Sequence, residues 1–241
     1  MTSAPAKYAQ YLADFQSLAR GPGADAPSWL HDLRDTAWSR FNETGFPTAR
    51  RGNERWKYTN VASIARTDFG IAGSLATANA SKGLAPTYKM EGPAVYDLVY
   101  LDGHYSPELS SSAAVPGGVI AASMAAIALD SSFDLEDQIG RYASTDGDGF
   151  AALNTAFLHD GAYIHLADGH AEKVIVRLSY ITVDGTDPKV TYPRTLIVAG
   201  SNTDVTVIES YTGPKDSAYF TNAVTEVSVR DGAQVDHYRL L

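Results

Sequence analysis

The first part of the chain carries apolar residues at the spacing of an amphipathic α-helix. Two such runs precede Gly45, and each predicts a helix with one buried face. The first run contains Tyr8, Leu12, Phe15 and either Leu18 or Ala19, and the second contains Trp29, Leu33, Ala37 and Phe41. Ser28 is a suitable N-cap for the second helix. A short helix at residues 61–65 and a glycine- and alanine-rich connection at 70–93 complete a predicted helical domain over residues 1–90.

The spacing changes in the second part of the chain, residues 91–241. Residues 95–101 predict a strand that ends at the Asp102-Gly103 turn. Short helices are predicted at residues 123–129, 135–142 and 150–158. From residue 162 onward apolar and polar residues alternate almost throughout, which is typical of half-buried strands. The chain is therefore predicted to be an α+β protein, with a helical N-terminal domain and a β-rich second domain.

Three glycines recur at nearly constant spacing in this β-rich part. Gly169, Gly200 and Gly232 each lie between two strand candidates, and they are 31 and 32 residues apart. Regular strand–corner–strand units of this length indicate the stacked coils of a β-solenoid. A sandwich with evenly spaced hairpins would give a similar pattern, so periodicity alone leaves both architectures open.

Composition and charge exclude some classes of function for this chain. The 241 residues include no cysteine, which excludes disulfides, thiolate nucleophiles and thiolate ligation of a metal or cluster by this chain. The net charge is −9 overall, with 11 − 7 = +4 over residues 1–90 and 8 − 21 = −13 over residues 91–241. This distribution argues against a broad nucleic-acid surface. The basic cluster Arg50, Arg51, Arg55 and Lys57 is interpreted as solvated or locally ion-paired.

No membrane or secretory segment is expected. The initiator methionine is not followed by an apolar run, and the uncharged stretch at residues 109–129 is too polar and too broken for a spanning helix. The chain is expected to be soluble and cytoplasmic.

The sequence predicts no catalytic, cofactor-binding or metal-binding residue. Phosphate-binding glycine loops and a Gly-x-Ser-x-Gly elbow are absent from the sequence. Three kinds of candidate residue are present, and structural or solvent-exposed roles are predicted for all of them. These are the histidines His159, His165 and His170 with Asp160; the acids Glu136, Asp137, Asp146 and Asp148; and the aromatic residues Tyr192, Tyr211 and Tyr219.

Five groups of residues nevertheless resemble the SufD proteins of the SUF iron–sulfur cluster assembly system, which share a core family with SufB. The first group is Gly45-Phe46-Pro47-Thr48 followed by Arg51, Glu54 and Trp56-Lys57-Tyr58-Thr59. The other four are residues 99–110; residues 153–157 with 160–162; residues 193–198 with 207–211; and residues 220–226 with 237–240. Asp102 stands where the family commonly has asparagine, and both residue types suit the turn.

The resemblance implies a fold and a role. It implies a right-handed parallel β-helix over residues 91–241, cut short before the C-terminal helical domain that family members carry. It implies a non-catalytic scaffold subunit that binds no cofactor itself, in a complex that handles an iron–sulfur cluster and ATP. A SufB-like paralogue and a SufC-like ATPase are the implied partners, and self-association is a further option. The family's interface histidine lies in the missing part, so His237 inherits no role.

Two other functions stay open at this point. The first is a β-helix enzyme that acts on acidic polysaccharide, although the negative charge of residues 91–241 would repel an anionic polymer. The second is a module that only binds other proteins. The Trp56-Lys57-Tyr58-Thr59 string is expected to pack the helical part against the β-rich part.

Overall fold

The computed structural model describes residues 8–21, 23–49, 54–72, 95–114, 118–183 and 187–241. The helices are α1 (Ala9–Arg20), α2 (Ser28–Thr44), α3 (Ala62–Arg66), α4 (Met124–Ala128) and α5 (Gly149–Ala156). The first seven strands are β1 (Gly70–Ile71), β2 (Val95–Leu101), β3 (His104–Tyr105), β4 (Ala113–Ala114), β5 (Val119–Ser123), β6 (Ala162–Leu166) and β7 (Val174–Ile181). The others are β8 (Lys189–Thr191), β9 (Arg194–Ala199), β10 (Asp204–Thr212), β11 (Tyr219–Thr221), β12 (Val224–Val229) and β13 (Gln234–Leu240). Single 3₁₀ turns lie at Glu54–Trp56 and Pro107–Leu109.

The described strands form three sheets. The first sheet has the order β1-β8-β11, the second β13-β10-β7-β2-β3, and the third β12-β9-β6-β5-β4. In the second sheet Val205 pairs with Val174 on one side and with Val235 on the other, which are shifts of 31 and 30 residues. The glycine repeat therefore corresponds to parallel strands that add to the same sheet at each repeat.

The prediction of a right-handed parallel β-helix over residues 91–241 is wrong. The fold is of the α/β class with mixed sheets, because β3 pairs antiparallel with β2, and β5 pairs antiparallel with both β4 and β6. Among the described residues none of the three sheets closes on itself or forms a solenoid. The 31-residue repeat determines which strands become parallel neighbours. It does not determine whether the sheets that contain them join into continuous coils.

The two largest of four apolar clusters among the described residues join most of these elements. The inner faces of the second and third sheets share one core, which includes Leu98, Ile164, Val176, Ile197 and Val207. A second core joins α1 and α2 to α5 and β8. In it Phe15 stacks on Trp38 with ring centres 4.9 Å apart, and Trp38 meets Phe157 edge-on. Burial of large aromatic rings is a strong stabilising term, so the N-terminal helices are firmly attached to the sheets.

Most of the predicted helices are present. Helices α1, α2, α3, α4 and α5 lie where the apolar spacing placed them, although Ser28 is the first helical residue and Pro27 occupies the N-cap position. The helix predicted at residues 135–142 is absent and the segment forms turns, with Gly140 at a φ of 77°. Of the predicted connection at 70–93, Gly70 and Ile71 form β1 and residues 73–93 lie outside the described ranges. The domain division at residue 90 stays a prediction.

None of the helices that the structure describes combines the length and the hydrophobicity that crossing a membrane requires.

Candidate functional site

A buried ion pair lies where α5 meets β9 and β12. Arg194, with no solvent exposure, donates from Nε and Nη2 to Oε1 of Glu226. Its Nη1 donates to Oδ1 of Asn154 at 2.9 Å and to Oγ1 of Thr155 at 3.2 Å. A guanidinium group with four such bonds is fully engaged, so its role at this position is to hold elements together.

Glu226 extends the network to the turn at residues 140–143. Its carboxylate accepts the backbone N–H groups of Gly140, Tyr142 and Ala143 at 2.9, 2.8 and 3.1 Å. Burial alone would raise the pKa of Glu226, but Arg194 and these three donors outweigh it and lower the pKa below its ordinary value. Glu226 therefore stays charged, and its capture of these N–H groups explains why the predicted helix does not form there.

Two asparagines complete the buried polar network. The Nδ2 of Asn154 donates to the carbonyl oxygens of Pro193 and Asn222 at 2.9 and 2.7 Å. The Nδ2 of Asn222 in turn donates to the carbonyl oxygen of Phe150 at 2.9 Å. We call Asn154, Thr155, Arg194, Asn222 and Glu226 the Arg194 network. All five come from the groups of residues that carry the SufD resemblance, and sequence reasoning did not foresee that they meet.

Asp160 forms a second polar centre near α4. Its carboxylate accepts from Oγ of Ser123 at 2.7 Å and from the backbone N–H groups of Tyr105, Ala125 and Gly161. Burial raises the pKa of Asp160, while these donors oppose the rise. Because its oxygens are occupied by the protein's own donors, Asp160 anchors the start of α4 to β3 and β6.

A third centre lies on β10, next to the edge strand β13 of the second sheet. Buried Glu209 accepts from Oη of Tyr211 at 2.8 Å, Oγ1 of Thr225 at 3.0 Å and Nε of Arg239 at 3.2 Å. His237 Nε2 lies 3.3 Å from the same carboxylate. Burial works against the charge of Glu209, but its hydrogen bonds, led by the one with His237, lower the pKa to about 2. His237 thus has a structural partner on the neighbouring strand.

The histidines weighed as metal ligands do not converge. His165 lies on β6 and its ring stacks parallel to that of Tyr163, whereas His170 lies in the turn that follows. His159 pairs instead with His104, with Nε2 and Nδ1 3.3 Å apart. Within the ranges that the structure describes, no group of three or more histidines and carboxylates is arranged to hold a metal ion.

The four acidic residues singled out in the sequence make local contacts or face the solvent. Asp148 caps α5 through the backbone N–H groups of Phe150 and Ala151, both at 3.1 Å. Asp146 forms an ion pair with Arg40 at 3.3 Å. Glu136 and Asp137 are exposed. Asp148 and Asp146 thus bond within the protein, whereas Glu136 and Asp137 face the solvent.

The aromatic candidates pack against other rings. Tyr192 stacks on Phe157 with ring centres 4.6 Å apart, and Tyr211 stacks on Tyr180 at 5.2 Å. Tyr219 is partly exposed at the edge of the first sheet.

Residues of the basic cluster and of the Trp56-Lys57-Tyr58-Thr59 string contact the start of α5. Arg55 pairs with Asp148 at 3.3 Å, and Lys57 pairs with Glu54 at 3.5 Å. The ring of Trp56 lies 5.2 Å from that of Phe150 in α5. Arg50 and Arg51 lie outside the described residues. Trp56 therefore packs the connection after α2 onto the element that supplies Asn154.

The fold and these centres define a class of protein. Its open mixed sheets are covered by helices, and the buried charged side chains of the three polar centres bind other groups of the same chain. Comparison with known proteins identifies the family. A family model described as the SufBD protein N-terminal region matches residues 6–178, and one described as the SUF system FeS cluster assembly, SufBD core domain, matches residues 180–241. The chain belongs to the SufBD family.

One relative shows how far the similarity extends. An iron–sulfur cluster assembly SufBD family protein of Synechocystis is 29% identical over 196 residues. The match covers 78% of this chain and 42% of the relative, so the chain spans less than half the length of that protein. The resemblance to the SufB/SufD family is confirmed, and assignment to the SufD branch stays a prediction.

Proposed function

We propose that this chain is part of a non-catalytic scaffold subunit of a SUF-type complex that assembles iron–sulfur clusters in the cytoplasm. The observation that carries this proposal is the match to both SufBD regions over nearly the whole chain. The Arg194 network supports it, because buried residues of both matched regions bond to each other and fix the β-rich part to α5.

The proposed partners supply the chemistry that this chain lacks. A SufC-like ATPase would hydrolyse ATP, and a SufB-like paralogue would provide the thiolates that accept sulfur and iron. The absence of cysteine from the sequence is consistent with this division, since clusters in proteins are held mainly by cysteine thiolates. In this proposal the cluster is cargo of the complex, and this chain binds no cofactor of its own.

The experiment that tests this role uses the full-length protein in its own organism. Tagged full-length protein should co-purify with a SufB-like and a SufC-like subunit, and its depletion should lower the activity of iron–sulfur enzymes. An enzyme without a cluster is the matched control and should keep its activity. Normal iron–sulfur enzyme activity after depletion would refute the proposal, as would failure to recover either subunit.

The polysaccharide-enzyme alternative loses its basis, since it required the β-helix that the sheets do not form. If the full-length protein co-purifies only with partners unrelated to SUF, the alternative of a module that only binds other proteins is favoured.

A further inference from the structure

A cavity of about 290 Å³ lies between α1, β1, β8 and the turn that joins β2 to β3. Residues that line it include Asp14, Ser17, His104, Phe157, His159 and Tyr192. Its volume is at the lower end of the range for small-molecule sites. No member of the Arg194 network lines it, so it is a separate feature of the fold.

The charges around this cavity are negative. Asp14 and Asp102 both line it, whereas none of the described lysines or arginines does. Asp102 is neutralised from outside the cavity by Lys189, whose Nζ lies 3.0 Å from its carboxylate. Asp14 receives only neutral donors in the described part of the chain, Nε2 of Gln10 at 2.8 Å and the N–H of Ile71 at 3.2 Å. Among the described residues, therefore, no cation compensates the charge of Asp14 at the cavity.

Two lining residues also hold buried polar atoms with no hydrogen-bond partner in the described structure. These atoms are Nε2 of His104 and Oη of Tyr192, and Tyr192 is only 5% exposed. Buried polar atoms without partners cost stability and are rare in native proteins. Their occurrence beside the same cavity indicates that a polar ligand belongs there.

We propose that this cavity binds a small organic cation with a primary ammonium group, held by Asp14, His104 and Tyr192. An ammonium group has three N–H donors, and a carboxylate, an imidazole nitrogen and a hydroxyl oxygen can each accept one. The rings of Phe157 and Tyr192, which stack on each other, also line the cavity and give apolar surface for the carbon chain of such a cation.

The histidine pair is compatible with a cation. Burial, reinforced by the neighbouring His104, lowers the pKa of His159 to about 4, so its ring is uncharged at neutral pH. When Nδ1 of His104 donates to Nε2 of His159, the Nε2 of a neutral His104 ring is left as an acceptor. A metal ion is a weaker fit, because the described residues contain no cluster of three metal-ligating side chains. This inference does not depend on the proposed scaffold function.

The test is calorimetric titration of the purified protein with putrescine at pH 7.5, with inorganic phosphate and zinc titrated in parallel. Putrescine should bind saturably, and Asp14→Asn should weaken binding about tenfold or more, because a charge-assisted contact is lost. The matched control Asp32→Asn, on the exposed side of α2, should bind as the parent does. Binding should also weaken as the pH falls, since burial raises the pKa of Asp14.

A second variant keeps the test decisive if Asp14→Asn disturbs the contact with Ile71. Ser17→Phe, at an exposed position of α1 that lines the cavity, should abolish binding, whereas Ala13→Phe on the same helix should not. The proposal is overturned if putrescine does not bind, if binding is unchanged in both Asp14→Asn and Ser17→Phe, or if zinc or phosphate occupies the site instead.

Discussion

Replacement of Glu226 by glutamine tests whether the Arg194 network determines the stability of this fold. The substitution preserves the shape of the side chain and removes its charge. In the parent, Oε1 accepts from Arg194 and Gly140, while Oε2 accepts from Tyr142 and Ala143. Glutamine has a single acceptor oxygen, so its amide NH₂ must face donors on one of the two sides.

The expected loss follows from burial. Arg194 and Glu226 have no exposed side-chain surface, and removal of one partner from a buried pair costs about 3–5 kcal/mol. A chain of 241 residues loses roughly 2–4 °C of melting temperature per kcal/mol, so we expect a decrease of about 6–20 °C. The loss comes mainly from the uncompensated guanidinium group and from backbone donors left without an acceptor.

Urea unfolding followed by circular dichroism measures this loss directly. The matched control is Glu172→Gln in the exposed turn before β7, which should change stability by less than about 0.5 kcal/mol. In a double-mutant cycle, Arg194→Met combined with Glu226→Gln should cost less than the sum of the two single changes. A loss below about 1 kcal/mol for Glu226→Gln, or strict additivity in the cycle, would show that the network is not the anchor inferred here.

Three further predictions concern other buried groups. The fold lowers the pKa of Glu209 from 4.5 to about 2, so the charged carboxylate stabilises the folded state by about 3 kcal/mol above pH 4.5. This stabilisation is lost as the pH falls towards 2. In Glu209→Gln the midpoint of urea unfolding should therefore depend less on pH between 4.5 and 2. His159 should stay neutral in an NMR titration down to about pH 5, and a midpoint near 6.5 would contradict its burial. Gly149→Ala should destabilise the protein by about 2 kcal/mol or more in thermal unfolding, because the new Cβ would overlap the Gly45 carbonyl, whereas Gly70→Ala should be nearly neutral.

Local pattern was sufficient to predict the helices and most of the strands. The apolar spacing of α1 and α2 is a property of one face of one element, and the structure buries that face. The helix predicted at 135–142 failed because Glu226, more than 80 residues away, binds the backbone N–H groups of that segment. A contact at that sequence separation leaves no periodic signal.

The sheet architecture could be predicted only in part for a related reason. Strand periodicity and the glycine spacing indicated which segments repeat, and these segments form parallel neighbours such as β7, β10 and β13. The antiparallel partners β3, β4 and β5 are short or weakly patterned, so the Asp102-Gly103 turn was the main local sign of an antiparallel pair and the mixed sheets were not predicted. The five groups of residues that carry the resemblance identified the family without revealing that four of their polar side chains meet around Arg194.

The position of the Arg194 network has a consequence for how the two matched family regions relate. Asn154 belongs to the region that ends at residue 178, whereas Arg194 and Glu226 belong to the region that begins at residue 180. The aromatic core crosses the same boundary, because Phe157 stacks on Tyr192. Separation of the two regions would expose this apolar surface and break a buried ion pair at once. The boundary between the family regions is therefore not a hinge, and the described parts of both regions should unfold in a single transition.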